Sequence, residues 1–339
     1  MAATIKRQLQ LLVPNICIFL DVDNLESIDE LEAYVEASAM LLVLLGSPKY
    51  FYSANCLREL RAAKTHELPL VCVHDSDPTK HGGPLADLRA ACSPEFSELV
   101  FGTPLVVWHR VHDFQLVSLA AIVEHFLRSS QPHAEVSLEV PGALAWAQIR
   151  FNASTPLYVS RHNPEASTVA TRLHELHSDL LLVESPPVKA ASITQWLLFL
   201  HKDMFSGEQG KQLETELLKA LRNQITPVLV YSPEAGVFSD IMGATPIPLM
   251  KLGLYSPLAI EWHEGIHEGV SQKLLLKALG AQQVGVCSNP AGIAQWLPAK
   301  VLTRREDEQQ LVSQGGRIIS LPRHSETCGV AEVQMSSKA

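Results

Sequence analysis

Three apolar runs, ICIFLDV at residues 16–22, AMLLVLLG at 39–46 and LPLVCVHD at 68–75, recur with helix-patterned segments between them. A strand built from such a run has no polar face to offer water and must be covered on both sides. Intervening helices supply that cover, so the pattern predicts an α/β protein whose sheet is parallel. Ser27 and Glu30 read as a capping box, with Ile28, Leu31, Tyr34 and Val35 at helical spacing behind it. SANCLRELRAAK (53–64) and PLADLRAAC (84–92) read as further helices, LVFGTPLVVWH (99–109) contains a fourth strand, and DFQLVSLAAIVEHFL (113–127) closes the unit.

The polar, proline-bearing stretch SSQPHAEVSLEVPG (129–142) reads as a linker, after which the alternation restarts. PLYVS (156–160), LLLVE (180–184), WLLFLHK (196–202) and TPVLVY (226–231) are strand-like, while 166–176, 210–221 and 270–280 are helical in pattern. The expected organisation is therefore a first unit at 1–128, a linker at 129–150, a second α/β unit at 151–282 and a partly disordered extension at 283–339. The units share a local order of apolar strand, polar turn with Phe, helix with a Glu-Leu pair and Pro-led strand. Laying LLGSPKYFYSANCLRELRAAKTHELPLVCV beside FLHKDMFSGEQGKQLETELLKALRNQITPVLVY places Glu59 near Glu216.

The 339 residues are 47% apolar and carry a formal net charge of -9. With no basic run to neutralise phosphates, nucleic acid is not an expected partner. The longest apolar run is too short to span a bilayer, and the six cysteines form no C-x-x-C pair, so a cytoplasmic protein with buried, reduced thiols is expected. His263-Glu264-Gly265-Ile266-His267 satisfies the H-E-x-x-H string of zinc proteases. That string needs a continuous helix to bring both imidazoles to one face, and Gly265 and Gly269 oppose one. The segment reads as a loop, and no metal is expected. No Walker loop, G-x-G-x-x-G or G-x-S-x-G is present, so no cofactor is expected either.

Glu59 is the ambiguous residue. On a short amphipathic helix beside Cys56, Leu57 and Leu60, and near Arg58 and Arg61, it reads either as a solvated surface carboxylate or as a site carboxylate. Glu216, among Glu214 and Lys219, reads as a surface residue.

Residues 19–60 resemble the middle of a TIR (Toll/interleukin receptor) domain of the plant and algal kind. An acidic loop carrying Leu follows a strand, here Asp21 to Leu25; a Ser-x-x-Tyr-Phe-x-Ser turn follows another, here Ser47, Tyr50, Phe51 and Ser53; and Cys56 to Leu60 form a Cys-Leu-x-Glu-Leu helix. The second unit resembles a diverged TIR-like domain. The resemblance implies flavodoxin-like units that signal by TIR-to-TIR contact, self-association included, through an interaction loop holding Asp23, Asn24, Leu25, Glu26 and Ser27 and through 74–85. It also implies an alternative, an NAD nucleosidase in which Glu59 steadies the ribosyl cation as nicotinamide leaves, NAD being a substrate. A TIR domain opens on a strand ending in a polar turn. Here IKRQLQLL follows Met1 as a helix, so the first unit is expected to lack that strand, and the gene start is expected to be late or the unit incomplete.

Overall fold

The computed structural model describes residues 1–13, 16–20, 30–130, 135–139, 149–188, 194–233, 236–283, 300–304 and 332–336. After the helix Ala2–Leu12 the chain forms β1 (Cys17–Leu20), the helix Leu31–Ala37, β2 (Met40–Leu45), the helix Ala54–Thr65 and β3 (Leu70–His74). Two short helices, Leu85–Ala91 and Pro94–Phe101, lead to β4 (Leu105–Val107), the long helix His112–Ser130 and β5 (Glu135–Glu139). Then come β6 (Ile149–Arg150), β7 (Thr155–Val159), the helix Pro164–Leu176, β8 (Leu180–Val183), β9 (Gln195–Leu200) and the helix Gly207–Arg222. The strands β10 (Val228–Tyr231), β11 (Ile260–Glu261) and β12 (Gln282–Gln283) follow, with the helix Glu268–Ala278 before the last. Finally β13 (Lys300–Arg304) and β14 (Glu332–Ser336) return to the first unit. No helix among the described residues is long and apolar enough to cross a membrane.

Contacts divide the chain into two units, one of Met1–Ala143 with Ala291–Ala339 and one of Leu144–Pro290. Each holds a five-stranded, wholly parallel sheet flanked by helices, as the apolar runs predict. In the second unit the strand order is β11-β10-β9-β7-β8, the flavodoxin-like order in which the first strand lies between the second and third. In the first unit the order is β1-β14-β2-β3-β4. The position of an opening strand is filled after all, by residues far away in sequence. The segment expected as an extension thus contributes β13 and β14 to the first unit. The segment expected as a linker contributes β5, which pairs antiparallel with β13. Strands in such stretches escape a reading of local apolar runs because EVSLE and EVQMS alternate apolar and polar residues and have no partner nearby in sequence.

Both faces of the first sheet are buried, and alternate residues divide between them. Leu42, Leu44, Val71, Val73 and Val106 pack with Ile5, Leu9 and Leu12 of the first helix and with Leu119, Ile122, Val123 and Phe126. Leu41, Val43, Leu45, Leu70 and Cys72 pack instead with Cys56, Leu60 and Ala63, and with Leu88, Phe96 and Val100. The second sheet repeats this division, with Leu157, Leu197 and Val230 on one face and Tyr158, Trp196, Leu198 and Leu229 on the other. Each fully buried aliphatic side chain contributes about 1.5–3 kcal/mol, which is why runs this apolar end up here.

Candidate functional site

In sheets of this order, ligands bind beyond the carboxyl ends of the strands, where the chain's winding reverses between the first and third positions. In the second unit that place lies between β7 and β9. The turn after β7, Ser160-Arg161-His162-Asn163, holds it together. Asn163 is buried and clamps the turn to β9: its Nδ2 donates to the Phe199 carbonyl at 3.0 Å, and its Oδ1 accepts from the Phe199 N–H at 2.8 Å. Two hydrogen bonds to one backbone residue fix the spacing of the two strand ends.

Glu216, on the helix that follows β9, reaches this turn. Its Oε2 accepts from Ser160 Oγ at 2.6 Å and from the Tyr158 hydroxyl at 3.4 Å, while His162 Nε2 lies 3.7 Å from Oε1. Ser160 Oγ also accepts from the His162 N–H at 3.2 Å. Burial, and then the Glu216 charge, push the Tyr158 phenol above its ordinary range, so it remains a hydrogen-bond donor. The Glu216 side chain is 31% exposed, which leaves it open to a ligand from solvent. A carboxylate held in this way can accept from a sugar hydroxyl or face a developing positive charge.

Glu216 is therefore not the plain surface residue that its neighbours in sequence suggest. Ser160, Asn163 and Tyr158 are the residues that sequence reasoning passes over, and His162, which reads from sequence as a plain polar loop residue, lies beside Glu216. The available signal was the polar turn SRHN directly after the apolar PLYV.

Glu59 also departs from the surface reading, since it is only 2% exposed. It lies on the buried face of the helix Ala54–Thr65 with Cys56, Leu60, Ala62 and Ala63. Ser53 caps that helix, accepting from the Cys56 N–H at 3.5 Å. Arg58 turns elsewhere and grips Glu32 with two hydrogen bonds of 2.6 Å, which hold the Glu32 carboxyl below its ordinary range. Tyr50 and Phe51 of the Ser-x-x-Tyr-Phe-x-Ser turn are buried against the same core, and Ser47 Oγ is buried without a hydrogen-bond partner among the described residues.

The helices carrying the two glutamates end alike. Glu67 (φ 51°) and Gln224 (φ 59°) take the left-handed conformation after the helix. In each case the next N–H, that of Leu68 or Ile225, closes back on the carbonyl of Ala63 or Ala220, the Schellman arrangement. Proline and a strand follow both, and Glu59 stands at the same remove from Glu67 as Glu216 does from Gln224. The sequence pairing of Glu59 with Glu216 is thus also a structural one.

Of the expected interaction surfaces, Asp23, Asn24, Leu25, Glu26 and Ser27 lie outside the described residues, as do the rest of the acidic loop after Leu20 and the capping Ser27. The 74–85 loop is internally braced. Arg110 pairs with the buried Asp75 and reaches Asp77 at 3.3 Å, and His74 Nε2 bonds the Gly83 carbonyl at 2.8 Å. The Thr79 hydroxyl, then its N–H and Arg110, hold the Asp77 carboxyl below its ordinary range. Only glycine fits at 82, where a Cβ would come within 2.4 Å of the Asp75 carbonyl oxygen.

The H-E-x-x-H segment is a loop followed by one 3-10 turn, Gly265–His267, with Gly265 at φ 65°. The continuous helix that the zinc chemistry needs is not formed there. His263 instead bonds Glu261 at 3.0 Å, and Glu261 also accepts from the Tyr231 hydroxyl at 2.9 Å. Burial, with His263 second, pushes the His267 imidazole down to about 4. Among the described cysteines, Cys56, Cys72 and Cys92 are buried, and desolvation pushes the Cys72 thiol up to about 12.

Comparison of the chain with protein-family models, curated proteins and solved structures finds no significant match.

Proposed function

We propose that this chain is a tandem TIR-type signalling protein whose units work by contact with other TIR-type units, self-association first among them. The observation that carries the reading is the shared frame: two parallel sheets of one strand order, each followed at its third position by a helix with the same end and the same glutamate. Of the residues that carry the family resemblance, Ser47 through Leu60 follow β2 at its carboxyl end, while Asp21 to Leu25 lie outside the described residues. Light scattering across a dilution series, with capture between two differently tagged copies, tests it. The expected result is a mass that rises with concentration; a monomer at every concentration that captures no TIR unit contradicts it.

A second reading, NAD nucleosidase, is favoured by the glutamate that the frame repeats. The C–N bond to nicotinamide breaks, nicotinamide leaves with the electron pair, the carboxylate steadies the ribosyl cation, and water adds at that carbon as its proton is released. Free nicotinamide is measured with the native chain, Glu59→Ala and Glu216→Ala. Loss of turnover in one variant assigns the carboxylate, equal turnover in all three removes both, and no turnover in the native chain ends the reading.

A further inference from the structure

The first sheet is completed by a strand remote in sequence from its partners. In the second unit the corresponding strand, β7, is tied to β8 by the helix Pro164–Leu176, whose Ala166, Val169, Ala170 and Leu173 are buried in the core. β14 comes instead from far along the chain. The described element before it in the chain is β13, paired antiparallel with β5, and residues 305–331 lie between.

Yet β14 occupies the same place. It runs parallel to β1 on one side, Cys17 to Leu20 facing Glu332 to Met335, and parallel to β2 on the other, Met40 to Val43 facing Val333 to Ser336. Met335 stands opposite Leu42 as Val159 stands opposite Leu197, each at the same remove from the partner strand's last residue, Leu45 or Leu200. Ser336 is therefore the positional counterpart of Ser160.

We propose that the slot between β1 and β2 is a strand-acceptor site whose ligand is the segment Glu332–Ser336, and that a second copy of this chain can supply it. The main-chain donors and acceptors of β1 and β2 must be satisfied, and β14 is the only strand that pairs with β1 among the described residues. Parallel ladders are made by backbone groups, so the pairing is the same whichever chain provides the strand. The choice between a copy's own strand and its neighbour's is then one between an intramolecular and an intermolecular pairing, and depends on protein concentration. High protein concentration during folding shifts it toward exchange. Exchange couples the first units of two copies and brings the partner's Ser336 to the position that Ser160 holds beside Glu216 in the second unit. The inference does not rest on the family reading, since any sheet completed in this way has the same slot.

The test uses the full chain. Residues facing each other on paired strands are close enough for a disulfide. One copy carries Leu42→Cys and the other Met335→Cys; the two are unfolded in urea, refolded together at rising concentration and mildly oxidised. The expected product is a covalent mixed dimer, identified by mass spectrometry as linked between positions 42 and 335, that increases with concentration. It is not formed when the two are refolded separately and then mixed. A chain carrying both substitutions, refolded dilute, links within itself. A link within the double variant but no mixed dimer at any concentration overturns exchange, even where light scattering shows self-association by some other surface. No link in a double variant whose circular dichroism is native overturns the slot itself. If that pair disturbs folding, Ile18→Cys with Val333→Cys asks the same question from the β1 side.

Discussion

Glu59 and Glu216 occupy the same place on matching helices in the two units, and the molecule treats them differently. Glu216 keeps a side chain 31% exposed and is steadied by Ser160 and Tyr158 from the turn and strand of its own sheet. Glu59 is 2% exposed and shares its helix face with apolar residues. The two opening positions differ in the same sense. β7 is continuous with the turn that meets Glu216, whereas β14 comes to its sheet from residues 332–336. A common backbone frame therefore does not imply a common site.

The largest expected effect breaks the frame on one side only. Val333→Pro removes a backbone donor in the middle of β14, and proline is excluded from central strands for that reason. Amide hydrogen exchange is expected to show loss of protection in β1 and β2 while β9 and β10 keep theirs; loss in both units, or in neither, breaks the comparison. Next comes the contrast between the glutamates. Glu59→Ala empties a buried position and is expected to cost about 2–4 kcal/mol in urea unfolding, while Glu216→Ala, half-open to water, costs about 1 kcal/mol. Equal costs would mean that burial does not separate them.

One pH dependence is expected from His267 in the second unit. His267 has a native value of about 4 against an ordinary 6.5, so between these the unfolded chain binds a proton that the native one does not. Stability is therefore full above about pH 6.5 and is expected to fall by roughly 2–3 kcal/mol as pH drops toward 4. His267→Gln should flatten that slope when unfolding is followed by amide hydrogen exchange in β9 and β10; an unchanged slope would assign it to another group. The smallest effect concerns what the units share. Glu67→Gly and Gln224→Gly both relieve a left-handed backbone at a helix end, and each is expected to stabilise its unit by up to about 1 kcal/mol. Opposite signs would separate the two helix ends.

Much of this architecture is legible from residue pattern. Runs such as AMLLVLLG and LPLVCVHD have one physical solution, a strand covered on both faces, and Ser53 ahead of CLREL marks a helix start through its cap. The repeat of Glu-Leu, helix end and Pro-led strand is visible as well, and so is the glycine-broken H-E-x-x-H. What was not legible depends on distance along the chain. Nothing around EVQMS says that it pairs with CIFL and MLLV, because strand partners are chosen by register and face and not by proximity in sequence. The burial of Glu59 was hidden for a related reason. Arg58 and Arg61 beside it suggest a solvated face, but Arg58 spends its charge on Glu32, a residue of the neighbouring helix.

The central claim is that both units share one strand order because Glu332–Ser336 stands where an opening strand belongs. Residue-resolved amide hydrogen exchange on the native chain tests it most directly. The account predicts that the amides of Val333 to Met335 exchange as slowly as those of Leu41 to Val43, with which they form one ladder. Exchange of those amides at the rate of an unstructured peptide, while β2 remains protected, would contradict it.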